Sequence, residues 1–324
     1  MQGNDLILQV EELTKYFPIP GKLFERPAQL HAVENMSFNV YKGKTLGIVG
    51  ESGSGKSTVA RLILKLLPAT SGRVLYEGKD ILPLRERDSR FVRQQLQMIF
   101  QDPYASLDPR FKIGYTLEEP LKEHKIVPRE QMHEVVGDML EKVGLQREIV
   151  SRFPHEFSGG QRQRINIARA LLMNPRIIIC DEAVSALDVS VQAQVLNLFN
   201  QLKWEFDLTY LFISHDLSVV KFVSDTIIVM YMGEMMEMAS TEDLFRNPVH
   251  PYTQALISAI PNPNPLAVKQ RILLEGDIPS PINPPEGCRF ASRCRRACQR
   301  CHSEHPELVE VEPGHSVRCL FAKD

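Results

Sequence analysis

No apolar run in this sequence approaches the roughly 20 residues that a bilayer-crossing helix requires. The longest stretches, residues 226–232 and 176–180, fall far short of it. No segment is therefore expected to span a membrane, and any attachment to one is expected to run through partner proteins. An excess of charge of one sign is also missing: 38 Lys and Arg stand against 40 Asp and Glu, a formal net charge of -2. Such a balance offers no overall field to nucleic acid or to an anionic surface, so neither is an expected partner. The start, Met-Gln-Gly-Asn-Asp-Leu, lacks the basic end, apolar stretch and cleavage site of a secretory signal, and the chain is expected in the cytosol. Internal repeats are absent too, leaving one unit rather than a tandem pair.

Cysteine is scarce before residue 288, with Cys180 alone in an apolar run, whereas Cys288, Cys294, Cys298, Cys301 and Cys319 crowd the last 40 residues. In a cytosolic chain such a cluster points to metal rather than disulfides. What the sequence does have is size: 324 residues, 43% hydrophobic and 24% charged, suffice for one large domain and something smaller.

Short apolar runs alternate with helical patterns through the first 260 residues, the mark of a mostly parallel sheet covered by helices. Strands are expected at residues 6–10, 45–49, 97–100, 177–180, 210–213 and 226–230. Between 100 and 177 the pattern turns helical, clearest at 129–143 and 160–173, and reads as a helical subdomain inserted into the α/β core. After Ile260, Pro261, Pro263, Pro265, Pro279, Pro281, Pro284 and Pro285 exclude long helices and interior strands, so a separate tail is expected there.

Gly50-Glu51-Ser52-Gly53-Ser54-Gly55-Lys56-Ser57 follows an apolar strand, and Thr58 continues into a helical pattern. This is the context of a phosphate-binding loop. Glycines let the backbone turn its N–H groups toward a polyphosphate, Lys56 neutralises phosphate charge, and the Ser57 hydroxyl can ligate Mg²⁺. The bare pattern arises by chance in roughly one chain in a hundred of this length. Asp181 and Glu182 end the apolar run 177–180. After a phosphate loop, Asp181 is expected to hold Mg²⁺, and Glu182 to orient or deprotonate the attacking water. Phe157-Ser158-Gly159-Gly160-Gln161 opens a helix whose free N–H groups attract phosphate, although serine is also an ordinary helix cap.

Together these strings resemble the ABC ATPase family, whose LSGGQ signature motif binds the γ-phosphate of ATP held by the opposite subunit. Phe157 replaces the leucine, as is common in one branch. The resemblance implies an α/β fold: an ABC-type P-loop ATPase with a RecA-like core, an antiparallel β subdomain and an inserted helical subdomain (about 102–175) within residues 1–260. A small Cys/Pro-rich C-terminal domain would occupy 261–324. It also implies a Q-loop at Gln101, contributing to Mg²⁺ and touching a membrane subunit, a D-loop at Ser185 to Asp188, and a switch histidine at His215. The adenine would stack on Phe17, with Tyr16 the alternative.

Within that family the chain is similar to the ATP-binding subunits of dipeptide and oligopeptide importers, of the DppF or OppF type. The strings that carry this are Gln101-Asp-Pro-Tyr104-Ala-Ser-Leu-Asp-Pro109, Pro154-His-Glu-Phe157-Ser-Gly-Gly-Gln161-Arg-Gln-Arg164, Val184-Ser-Ala-Leu-Asp-Val-Ser190 and His250-Pro-Tyr-Thr-Gln-Ala-Leu256. One departure is Ala183, where relatives usually have proline after the catalytic glutamate; a change in rate is expected from it. Cys288, Cys294, Cys301 and Cys319 resemble the tail pattern of peptide-importer ATPases that binds a 4Fe-4S cluster, whose charge Arg289, Arg293, Arg295, Arg296 and Arg300 would balance. Structural zinc is the alternative, since Cys298 and Cys301 form a CxxC pair.

The resemblance thus implies a peripheral subunit on the cytoplasmic face of the cell membrane. It would pair head to tail with a second ATPase of the DppD or OppD type and drive two transmembrane permease subunits, fed by an extracytoplasmic binding protein. Relatives also carry nickel chelates, glutathione or oligosaccharides. A soluble ABC ATPase acting on DNA or ribosomes is the other class of reading; no long coiled-coil insertion, second cassette or basic composition speaks for it.

Overall fold

The computed structural model describes residues 5–20, 28–85, 87–261, 271–277 and 279–323. Its strands are β1 (Leu6–Ile19), β2 (Ala28–Tyr41), β3 (Thr45–Val49), β4 (Ser71–Tyr76), β5 (Lys79–Asp80), β6 (Leu96–Ile99), β7 (Ile177–Asp181), β8 (Thr209–Ser214), β9 (Thr226–Tyr231), β10 (Glu234–Ser240), β11 (Leu308–Glu312) and β12 (His315–Arg318). The helices are α1 (Lys56–Ile63), α2 (Arg90–Gln95), α3 (Ile113–His124), α4 (Met132–Lys142), α5 (Gly159–Leu171), α6 (Val189–Glu205), α7 (Leu217–Val223), α8 (Thr241–Arg246), α9 (Pro251–Ser258) and α10 (Gln299–Ser303).

Eight strands form one sheet in the order β11-β12-β10-β9-β3-β8-β7-β6, and β2-β1-β4-β5 form a smaller antiparallel sheet. The pairs β9–β3, β3–β8, β8–β7 and β7–β6 are parallel. Every residue of β3, β7 and β8 is buried, which is why these strands read as unbroken apolar runs rather than alternating ones. Their side chains still alternate between two cores. Ile177, Ile179, Leu211 and Ile213 pack with α1 and the small sheet, while Ile178, Cys180, Tyr210 and Phe212 pack on the opposite face with α5 to α7.

Between Ile99 and Ile177 the described residues form helices only: α3, α4 and α5, with short 3-10 turns between them. The expected strands are all present, but β1 runs on to Ile19, past bulges at which Glu12 takes φ +48. Those bulges break the alternation a long strand would display. The proline-rich tail contributes β11 and β12, and β12 pairs with β10, so the tail joins the large sheet through its edge.

Candidate active site

The phosphate loop, the residues after β7 and those after β8 all lie at the carboxyl ends of adjacent parallel strands, where open α/β sheets bind their ligands. Two glycines make the loop possible. Gly50 has φ +156 and Gly55 φ +102, and a Cβ on either would stand 2.1 Å from a backbone oxygen, that of Met230 or Ala32. Lys56 is buried, and its ammonium donates to the carbonyls of Gly50 at 2.8 Å and Glu51 at 2.9 Å. Burial lowers its pKa, against the pull of the Glu182, Asp181 and Glu51 charges. The loop is thereby folded around its own lysine.

Ser57 Oγ donates to Asp181 Oδ1 at 2.7 Å. Burial raises the Asp181 carboxyl, with the Ser57 hydrogen bond working against it. A hydroxyl touching a buried carboxylate beside a phosphate loop suits a divalent cation, which would offset the desolvation of that carboxylate; the donor set therefore fits Mg²⁺. Glu182, next in sequence, has φ +49 and is anchored by its N–H donating to Ile213 O at 2.9 Å. Two neighbours meet one of its oxygens: Gln101 Nε2 donates to Oε2 at 3.0 Å, and His215 Nδ1 lies 3.0 Å from the same atom. Gln101 follows β6 and His215 follows β8. Residues 81 and 33 positions distant in the chain are thus brought onto Glu182 by sheet order alone.

Lys56, Ser57, Gln101, Glu182 and His215 face a cleft of about 960 Å³ that also holds Ser52, Gly53, Thr58, Phe17, His31 and Pro281, with Asp181 just behind Ser57. Phe17 lines it, with Lys15 Nζ 4.9 Å from the ring centre. Tyr16 is turned away: its ring packs 4.1 Å from His31 and its hydroxyl donates to Glu34. Burial, then the Glu34 carboxylate, pushes the Tyr16 phenol up to about 12.

Ser158 to Gln161 are elsewhere. Ser158 caps α5, its Oγ accepting from Gln161 N at 3.3 Å while Gln161 Oε1 accepts from Ser158 N at 3.0 Å, and both side chains are exposed. Gly160 admits α6: a Cβ there would come 2.3 Å from Val191. Asp188 caps α6, accepting from Val191 N and Ser190 Oγ, hydrogen bonds that lower its pKa. None of these residues lines the cleft of its own chain.

Several partners of the cleft were invisible in the sequence. The Glu51 N–H donates to the Tyr252 hydroxyl at 2.9 Å, and Arg293 grips the Glu51 carboxylate at 2.6 and 3.1 Å. Arg289 pairs with Glu34 at 2.8 Å and Glu234 at 3.1 Å. Tyr252 lay in a string already singled out, His250 to Leu256, but nothing in the string names its partner. Three of the five arginines between Cys288 and Cys301 are engaged elsewhere: Arg289 and Arg293 neutralise carboxylates of the main domain, and Arg300 pairs with Glu304.

The tail cysteines were expected to hold a metal centre. Among the described residues no three His, Cys, Asp or Glu side chains are placed to hold a metal ion, so the structure supports neither a 4Fe-4S cluster nor zinc. Cys288 and Cys294 are instead part-buried thiols. Burial raises both, Cys288 to about 11, and the neighbouring Cys301 and Cys319 add to the effect. Cys298 Sγ and Cys301 Sγ lie 3.9 Å apart.

A family model described as ABC transporter matches residues 33–185, and one described as oligopeptide/dipeptide transporter, C-terminal region, matches 236–301. The chain is 50% identical over 321 residues to the oligopeptide transport ATP-binding protein AppF of Bacillus subtilis (strain 168), covering 98% of each. It is 49% identical to the oligopeptide transport ATP-binding protein OppF of Escherichia coli (strain K12), covering 98% of this chain and 97% of that one. Its fold is similar to that of an ATP-binding cassette solved as a dimer in a post-hydrolysis state bound to ADP and Pi: TM-score 0.64, 27% identity, 72% of this chain and 99% of the other. Such identity along nearly its whole length places the chain plainly: it belongs to the ABC-type ATP-binding proteins of oligopeptide and dipeptide transport.

Proposed function

We propose that the cleft at the ends of β3, β7 and β8 binds ATP and hydrolyses its terminal phosphoanhydride bond, and that this reaction powers import of di- or oligopeptides. The observation that carries the reading is the meeting of Gln101 and His215 at one oxygen of Glu182, beside Asp181, Ser57 and Lys56. Backbone N–H groups of residues 50–58 and the Lys56 ammonium take up the phosphates, and Phe17 stacks on the base. Ser57 and Asp181, with Gln101, would hold Mg²⁺, which when bound neutralises phosphate charge. Glu182 accepts the proton of the attacking water as its oxygen bonds to the γ-phosphorus and the bond to the β-phosphate oxygen breaks. Gln101 and His215 hold the Glu182 carboxylate in one orientation for that transfer.

Ser158, Gly159, Gly160 and Gln161, of which Ser158 and Gln161 are exposed, complete with Asp188 the site of a second ATPase of the DppD or OppD type. The pair acts at the cytoplasmic face of the membrane on two permease subunits, to which an extracytoplasmic binding protein brings peptide. The names of the relatives and the dimeric neighbour support this arrangement. A 4Fe-4S cluster on Cys288, Cys294, Cys301 and Cys319, or zinc, rests on the spacing of those cysteines in the sequence. Iron and acid-labile sulfide in anaerobically purified protein would support it; colourless, metal-free protein would remove it.

Glu182→Gln tests the chemistry. ATP binding is expected to persist while turnover falls by about two to four orders of magnitude. Turnover within a few-fold of the parent would discard Glu182 as the base.

A further inference from the structure

Glu51 is the one acidic residue within the phosphate loop, a carboxylate in a segment that has to receive a highly charged anion. All of its polar groups are held. The N–H donates to Tyr252 Oη, the carbonyl accepts from Lys56 Nζ, and the carboxylate receives Arg293 Nη1 at 2.6 Å and Nη2 at 3.1 Å. Arg293 comes from 242 residues further along the chain and its side chain is 7% exposed. A guanidinium so placed forms a planar two-point fork with the carboxylate, a geometry that lysine does not reproduce.

Arg293 is itself fixed. It follows Phe290, which is 1% exposed and whose ring centre lies 5.3 Å from those of both Tyr231 and Tyr252. Arg293 Nη1 also reaches Tyr231 Oη at 3.4 Å. The tail touches the base side as well, where Pro281 lines the cleft and its carbonyl accepts the His31 N–H at 3.0 Å.

We propose that Arg293 is a positioning residue of the ATP site, neutralising the Glu51 carboxylate and holding the phosphate loop open to a polyphosphate, so that the C-terminal segment completes the nucleotide site of its own chain. This rests on reading residues 50–58 as the loop that binds phosphate. Without Arg293 the Glu51 charge stands uncompensated beside the incoming phosphates and repels them, more strongly the more charge the nucleotide carries. A pair that served only to attach the tail would alter stability without that ordering.

The test measures ATP, ADP and adenosine binding, and KM and kcat, for the full chain and for Arg293→Ala, Arg293→Lys, Glu51→Gln and the double variant Arg293→Ala/Glu51→Gln. Thermal unfolding is followed in each. Arg293→Ala should weaken ATP by about tenfold, the order of one lost charge-assisted pair, with a smaller loss for ADP and none for adenosine. It should raise KM more than it lowers kcat. Glu51→Gln in the Arg293→Ala background should return ATP affinity toward that of the parent, and Arg293→Lys should fall between. Unchanged ATP affinity in Arg293→Ala, an equal loss for all three ligands, or no recovery in the double variant would overturn the proposal. Lys56→Ala separates the two readings: if it leaves ATP binding intact, the phosphate-loop assignment itself fails, whereas its loss of binding beside an unaffected Arg293→Ala sinks only the role of Arg293.

Discussion

Glu182 takes left-handed backbone angles, φ +49, with a β-strand behind it and a buried alanine ahead. For a glutamate that conformation is costly, on the order of 1 kcal/mol or more, and it turns the carboxylate back toward Gln101 and His215. Ala183 permits it. Proline at 183 would disfavour helical values at the preceding residue and press Glu182 toward extended backbone. Ala183→Pro is therefore expected to change turnover severalfold while ATP affinity, set by the loop and Lys56, stays near that of the parent. Steady-state hydrolysis beside equilibrium binding checks this, and identical turnover in the two proteins would show that residue 183 does not aim Glu182. That Lys56, Ser57, Asp181 and Glu182 would lie together was legible from a phosphate loop and two acids, each after a short apolar strand, whereas Gln101 and His215 were picked out by the family resemblance. The left-handed turn at Glu182 was not legible, since nothing in the string Cys180 to Val184 marks it.

Elements whose charges are buried in pairs were the hardest to foresee. Strand β10 reads Glu-Met-Met-Glu-Met-Ala-Ser, yet Glu234 is 2% exposed and Glu237 is fully buried. Their partners, Arg289, His305 and His315, lie in the tail, beyond the reach of any local pattern. Helix α9 ends in the same region. Its N-cap is His250, 1% exposed, whose Nδ1 accepts from Tyr252 N at 3.1 Å while its own N–H donates to Glu237 Oε2. Burial drives the His250 pKa from 6.5 down to about 4, against the opposing pull of Glu237 and a contact with Arg318. The unfolded chain thus takes up this proton at a higher pH than the native one. Stability is full above about 6.5 and falls as pH drops toward 4, by roughly 3 kcal/mol from this group. His315 acts in the other direction. Its hydrogen bond with Glu237 raises its pKa, so its contribution is present below the ordinary histidine value and fades as pH rises through the folded one. Asparagine also caps helices, so His250→Asn should keep α9 and remove the titration. Urea unfolding of parent and variant at pH 7 and pH 5 should then show a smaller loss of stability in the variant. Equal losses would mean that His250 does not titrate in this window.

At the scale of the whole molecule, the cleft and the N-terminus of α5 stand apart. The cleft holds Lys56, Ser57, Glu182 and His215, while the capped N-terminus of α5, with Ser158 and Gln161, points to solvent and lines no part of that cleft. A helix N-terminus that opens with two glycines is suited to phosphate, and under the proposed function another subunit brings one to it. A closed pair of like subunits then has two equivalent sites, each with its loop from one chain and its signature from the other. Ser158→Arg should bind ATP as the parent does and yet fail to support hydrolysis, and Glu182→Gln should fail for the other reason. Should two copies of the chain pair in place of the two different ATPases, they offer a decisive mixture. In a dimer of the two variants one site carries both lesions and the other carries none. Equal mixing makes half of the dimers mixed, so about a quarter of the parental turnover should return if exchange is complete. A mixture as inactive as either variant alone, with exchange verified by differently tagged chains, would show that signature and loop act within one chain.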